Sequence, residues 1–191
     1  MLPPALVVCK YTLWYWLCLL TGEVLPFKCK SWHCPEHRQA LAWSWACRIA
    51  AEGPERMVTL TSIPKDRHQA SLAFQHVVRD IRRKGLGFEY CRFFEVGALG
   101  GYHYHLGQKG DYIPQRLLSS VAAANGLGQV VDIRKCFGAG PGWYMSKYIS
   151  KGLDTIPAGW RKVSASRHFF ARVELPVPVP GWVLVKGIDK G

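Results

Sequence analysis

Apolar side chains recur at i, i+3, i+4 and i+7 through Phe74, Val77, Val78 and Ile81, while Arg79, Arg82, Arg83 and Lys84 fall off that stripe. The spacing predicts an amphipathic helix that Gly85 and Gly87 stop. Before it, MVTLTS (57–62) is β-branched and apolar and ends at Pro64, the pattern of a strand. After it, FEYCRFFEV (88–96) and YHYHLG (102–107) flank the glycine-rich VGALGG, so residues 88–107 are expected to form a hairpin. A second helix is expected near Asp111, with Pro114 in its first turn, a stripe of Ile113, Leu117, Val121 and Ala124, and a stop at Asn125-Gly126. GQVVDIR (128–134) is a further strand, and beyond FGAGPG a helix is predicted over 142–151, closed by Gly152.

The order from 57 to 152 is β-α-β-β-α-β-α. This predicts an α+β fold of the ferredoxin-like or RRM-like kind: a four-stranded antiparallel sheet with two helices on one face, plus an added helix. HFFARVEL (168–175) is expected as one more strand, and PVPVPG opens a Pro-rich tail. The expected organisation is an apolar, Cys- and Trp-rich segment (1–55), a central domain (56–175) and the tail (176–191). No internal repeat is visible.

Charge narrows the partners. The 191 residues carry 25 Lys and Arg against 13 Asp and Glu, a net +12, which points to a polyanion, nucleic acid before an anionic membrane. Seven cysteines without an even framework point to a reducing compartment. The apolar run over residues 5–20 is shorter than the ~20 residues a spanning helix needs, and Lys10 interrupts it. A buried or loosely attached segment is expected there, and no membrane partner. In CKSWHCPEH (29–37), Cys29, Cys34 and His37 form a candidate Zn²⁺ set, with His33 and Cys47 nearby. Their gaps are irregular for a structural zinc site. Buried free cysteines in a Trp-rich helix over LAWSWACRI (41–49) are the stronger expectation.

Two stretches carry candidate chemistry. On a strand, residues two apart share a face, so His103 and His105 point one way and Tyr102 and Tyr104 the other. If the hairpin turns about Leu99, residue 95 lies opposite 103 and residue 93 opposite 105, which sets Glu95 beside His103. Glu89 shares the face but lies roughly 20 Å down the strand. Two histidines and a carboxylate suit Mn²⁺ or Mg²⁺ with positions open for phosphate oxygen. A slip of one residue would turn Glu95 to the wrong side. In GWYMSKYISKG (142–152), helical spacing aligns Tyr144, Tyr148 and Lys151 on one face, with Lys147 at its edge. A tyrosine, whose pKa is about 10, attacks a phosphodiester only if its proton is drawn off and the phosphate charge is offset. A neighbouring lysine and a metal can do this.

With these residues in order, the chain resembles the rolling-circle replication initiators of small single-stranded DNA phages and viruses, within the HUH endonucleases. Thr59-Leu60-Thr61 is similar to the family's first motif, and Glu95 with His103-Tyr104-His105 to its metal motif. Residues 144–151 are similar to its nucleophile motif in the two-tyrosine form. The resemblance covers about residues 55–170. It implies nicking of single-stranded DNA at a replication origin, with a tyrosine left on the 5′-phosphate and a 3′-OH released to prime synthesis. A second tyrosine would cut the regenerated origin and allow the displaced strand to be joined into a circle. Each tyrosine has a lysine three residues on, so both fit as first nucleophile. Arg79, Arg82, Arg83, Lys84, Arg161, Lys162 and Arg167 would track the DNA backbone. Leu106-Gly107-Gln108 is more polar than the family's pattern. No GxxxxGK[ST] loop occurs, so a host helicase would unwind DNA for a host polymerase, in the host cytoplasm. The competing expectation is a non-catalytic module that stacks single-stranded nucleic acid on Tyr102 and Tyr104. A membrane-anchored structural protein would leave both motifs unexplained.

Overall fold

The computed structural model describes residues 14–26, 30–35, 37–62, 66–97, 101–137, 144–145, 149, 161–170 and 181–186. Its elements in chain order begin with β1 (Trp14–Cys18), β2 (Val24–Pro26), α1 (Arg38–Ala51), β3 (Arg56–Ser62) and α2 (Arg67–Arg83). They continue with β4 (Phe88–Val96), β5 (Tyr102–Gly110), α3 (Gln115–Ala124), β6 (Leu127–Lys135), β7 (Val163–Ala165) and β8 (Trp182–Lys186). Two compact units result, one of residues 42–171 and one of residues 1–41 with 172–191.

In the larger unit five strands form an antiparallel sheet in the order β6-β3-β5-β4-β7. The fold is therefore α+β, and its strand order is compatible with a ferredoxin-like arrangement extended by one edge strand. Alternation along each strand divides the sheet into two faces. One carries Val58, Leu60, Phe88, Tyr102, Tyr104, Leu106 and Val131, which pack with Phe74, Val77, Val78 and Ile81 of α2 and with Leu118, Val121 and Ala122 of α3. The apolar stripe at 74–81 is thus the buried side of α2. Asp66 caps that helix, its carboxylate accepting from the Gln69 N–H at 2.9 Å. Pro114 stands just ahead of α3, and Gly126 beyond it takes φ +83, which an L side chain resists.

The other face carries His103, His105, Gly107, Thr59, Met57, Phe93 and Cys91 by the same alternation. Part of it is covered as well. A Cβ on Gly107 would run into the Met145 Cε methyl, and would lie 3.2 Å from Pro54 and 3.5 Å from Ile49 of α1. The polar-looking Leu106-Gly107-Gln108 has a physical reason at each position. Leu106 is core, Gly107 admits close packing, and buried Gln108 donates to the Asp111 carbonyl at 2.6 Å.

The ends of the chain differ from the sequence expectation. Residues 14–18 form a strand between β2 and β8, and β8 comes from the segment expected to be only a Pro-rich tail. Tyr15 pairs with both Pro26 and Val185. No helix among the described residues is long and apolar enough to cross a membrane. Most of the strand expected over residues 168–175 lies outside the described residues. Residues 167–169 make a turn, and the edge strand is Val163–Ala165, held by Ser166, whose N–H donates to the Tyr90 carbonyl at 2.8 Å.

Cys91, on the histidine-bearing face, has no exposed surface, and burial pushes its thiol from an ordinary 9.0 up to about 12. Above pH ~8.5 the unfolded chain sheds a proton here that the folded chain keeps, so this residue's contribution to stability falls as pH rises toward 12. At pH 8 a thiol reagent is expected to label exposed Cys47 quickly and Cys91 only after denaturation, as read by peptide mass spectrometry. Equal labelling of both in the native protein would contradict the burial.

Candidate active site on the histidine face

β5 lies between β3 and β4, so each of its residues has a neighbour on both sides. Glu95 stands opposite His103, and Phe93 opposite His105, the register expected from a turn about residue 99. From β3, Thr61 pairs with His103 and Thr59 with His105. The face therefore presents two rows, Thr61–His103–Glu95 and Thr59–His105–Phe93. The sequence had associated the threonines with the histidines only through motif order. Their direct adjacency follows from β3 pairing with β5.

His105 is fixed from three sides. Its Nδ1 lies 3.2 Å from Thr59 Oγ1, its Nε2 lies 3.2 Å from Glu95 Oε2, and its ring stacks on Phe93 at 5.3 Å between centroids. Only 4% of the residue is exposed. When the Thr59 hydroxyl accepts from Nδ1–H, Nε2 presents its lone pair on the same side as the Glu95 carboxylate. That is the orientation a metal-ligating histidine needs, with its second nitrogen held by a neighbouring acceptor. His103 is half-buried on the same face, and its Nε2 lies 2.8 Å from where a Cβ on Gly97 would be. The hairpin thus brings Glu95 and His105 into contact and places His103 alongside, its ring over Gly97. Among the described residues no three His, Cys, Asp or Glu side chains are gathered into a metal-holding group. The donor set still fits a hard divalent cation. Cross-strand Cβ atoms stand about 4.5–5.5 Å apart, so His103 and Glu95 are within reach of one ion once both turn toward it.

Tyr144, Met145 and Ile149 are helical, and Met145 and Ile149 are fully buried. Met145 meets β5 at Gly107, two residues from His105 on the same face. The start of the expected tyrosine helix therefore packs on the histidine side of the sheet. Tyr144 is half-buried. Tyr148, Lys147 and Lys151 lie outside the described residues.

The remaining candidate residues are dispersed. Arg79 and Arg83 pair with Asp80 at 3.0 and 3.7 Å, and Arg82 with Glu89 at 3.6 Å, while Lys84 is exposed at the end of α2. Glu89 thereby serves α2 and accepts from the His168 N–H at 3.3 Å, away from the histidines. Arg161 and Arg167 are exposed. Lys162 departs from the expected surface position: it is 2% exposed, with Nζ 5.3 Å from the Phe94 ring centre. In the other unit, Cys34 Sγ and His37 Nδ1 lie 3.3 Å apart, which supplies two donors of the candidate zinc set. Cys29 lies outside the described residues. Tyr102 and Tyr104 are 8% and 5% exposed, and the Tyr104 ring lies 5.3 Å from Phe74 of α2. Sequence reasoning did not single out Arg67 or Arg92.

No protein-family model matches the chain, and no curated protein or solved structure matches it significantly.

The Met145–Gly107 contact is open to a double-mutant test. Gly107→Val is expected to cost about 1–3 kcal/mol in denaturant unfolding. In combination with Met145→Ala, part of that loss should return, as a coupling of at least ~0.5 kcal/mol. Strictly additive losses would mean that the Met145 segment does not lie on this face.

Proposed function

We propose that the larger unit is a ferredoxin-like HUH-type endonuclease domain that nicks and joins single-stranded DNA at a replication origin, as rolling-circle initiators do. The observation that carries this reading is the placement of Met145, next to Tyr144, on the strand face that bears the Glu95–His105 pair. A candidate nucleophile segment and a candidate metal set thus meet one surface from different parts of the chain.

In this reading Glu95, His103 and His105 hold Mg²⁺ or Mn²⁺, which withdraws charge from the scissile phosphate when bound. Thr59 Oγ1, by accepting from Nδ1–H, would favour the tautomer in which Nε2 turns its lone pair to the ion in place of its contact with Glu95. Tyr144 or Tyr148 attacks phosphorus: a new O–P bond forms, the P–O3′ bond breaks, and the tyrosine proton is balanced by protonation of the departing 3′ oxygen. Lys147 and Lys151, each three residues on from a tyrosine in the sequence, would lower the cost of the phenolate and of the phosphate charge. The bond energy is kept in the phosphotyrosine, so cleavage requires no nucleotide. The partners proposed are origin DNA with a host helicase and polymerase, in the host cytoplasm. The burial of Tyr102 and Tyr104 in the core speaks for this reading over the stacking module.

The test is incubation of the full chain with single-stranded DNA of its parent genome and Mn²⁺, followed by a denaturing protein gel. A covalent protein–DNA band is expected that requires metal and disappears in Tyr144→Phe/Tyr148→Phe. Thr59→Val is expected to raise the metal concentration needed by about 10–100-fold. DNA binding without any adduct, with metal present, would rule the nuclease out.

A further inference from the structure

The sheet face opposite the histidines holds a second polar site, where β4, β7 and the start of α2 meet. A cavity of about 140 Å³ there is lined by Arg67, Arg92, Arg161 and Lys162, with the hydroxyl residues Ser71 and Ser164 and the rings of Phe94, Tyr102 and Tyr104. That volume is several times what one water needs. Four cationic residues thus border one small space, and none of the described residues lining it is acidic.

Arg92 is central to it. Strand alternation turns Arg92 away from His105, since it pairs with Leu106 while Phe93 pairs with His105. Its Nε donates to Ser164 Oγ at 2.9 Å and its Nη2 to Ser71 Oγ at 3.0 Å. Its Cζ lies 4.3 Å from the Phe74 ring centre and 5.1 Å from that of Tyr104. Nη1 is buried with no hydrogen-bond partner. A guanidinium held on two of its nitrogens by serines, with both N–H groups of Nη1 unmet, is oriented but not neutralised. Burial also works against its charge, and Lys162 borders the same cavity. A buried cation without a counterion costs several kcal/mol, so Arg92 calls for an anion. Burial raises the pKa of Tyr102 and Tyr104 as well, which keeps both phenols protonated and able to donate.

We propose that this cavity binds a phosphate group. Cationic side chains from three segments and serine hydroxyls around a space several waters in size suit the spread of oxygens on a tetrahedral oxyanion. Because the cavity opens on the α2 side of the sheet, this phosphate is not the scissile one. The inference rests on the cavity alone and stands whether or not the histidine face cuts DNA. The phosphate has two sources, a free phosphate compound or the backbone or 5′ end of a nucleic acid strand.

The experiment is calorimetric titration of the full chain with sodium phosphate, at an ionic strength held constant with sodium chloride. Arg161→Ala, at an exposed position, and Arg92→Lys, which keeps the charge but loses the fork, run alongside, each first checked for folding by circular dichroism. Saturable binding is expected in the wild type, weakened at least ~10-fold in both variants. Absence of saturable binding, or equal affinity in the wild type and a folded Arg161→Ala, overturns the proposal. Oligothymidylates with and without a 5′-phosphate then identify the source. Competition by either strand assigns nucleic acid, and phosphate binding without competition assigns a free phosphate compound. The adduct assay is read separately, since His105→Ala should abolish the adduct and leave phosphate affinity unchanged.

Discussion

The register of β5 between β3 and β4 is the constraint on which the rest of the larger unit depends. Tyr102, Tyr104 and Leu106 point from it into the helical core, and His103, His105 and Gly107 point to the other side. A slip of one residue would exchange the two sets. It would expose three large side chains, each stabilising by about 1.5–3 kcal/mol when buried, so the loss would approach the whole stability of an ordinary domain. The core thus sets the position of the histidines, and no cost specific to the site is needed to hold them.

Polar groups placed by that register are served unequally. His105 has Thr59 on one nitrogen and Glu95 on the other, so the pair is oriented before any ligand arrives. Arg92, one residue along β4 from Phe93 and on the reverse face, has serines on two nitrogens and nothing on the third. One sheet therefore supports two polar sites back to back, a mixed donor set on one side and a cationic cavity on the other. Gly107 separates the histidines from the apolar part of their own face, where Met145, Pro54 and Ile49 approach too closely for any side chain.

Much of this unit was legible in the residues. The stripe through Phe74 and Ile81, the hairpin register and the shared face of His103, His105 and Glu95 follow from periods of 3.6 and 2 that are written within about ten residues. Features that depend on distant segments were misplaced. Lys162 looks like surface charge beside Arg161, yet it is buried against Phe94, because β7 adds to the edge of β4 and carries its flank inward. The strand Val163–Ala165 was not anticipated, because a run of three residues gives too little periodicity to detect.

The sequence by itself determined which side chains share a face, where α2 and α3 end, and the net charge of +12. Alternation, capping and net charge are local or additive properties, and they survive without knowledge of the fold. Tertiary structure alone decided that Thr59 meets His105, that Arg67, Arg92 and Lys162 enclose one cavity, and that Trp14–Cys18 pairs with Trp182–Lys186 from the other end of the chain. Those are choices among strand partners. They are set by which pairing buries the most apolar surface across the whole chain, and no window of neighbouring residues contains that sum.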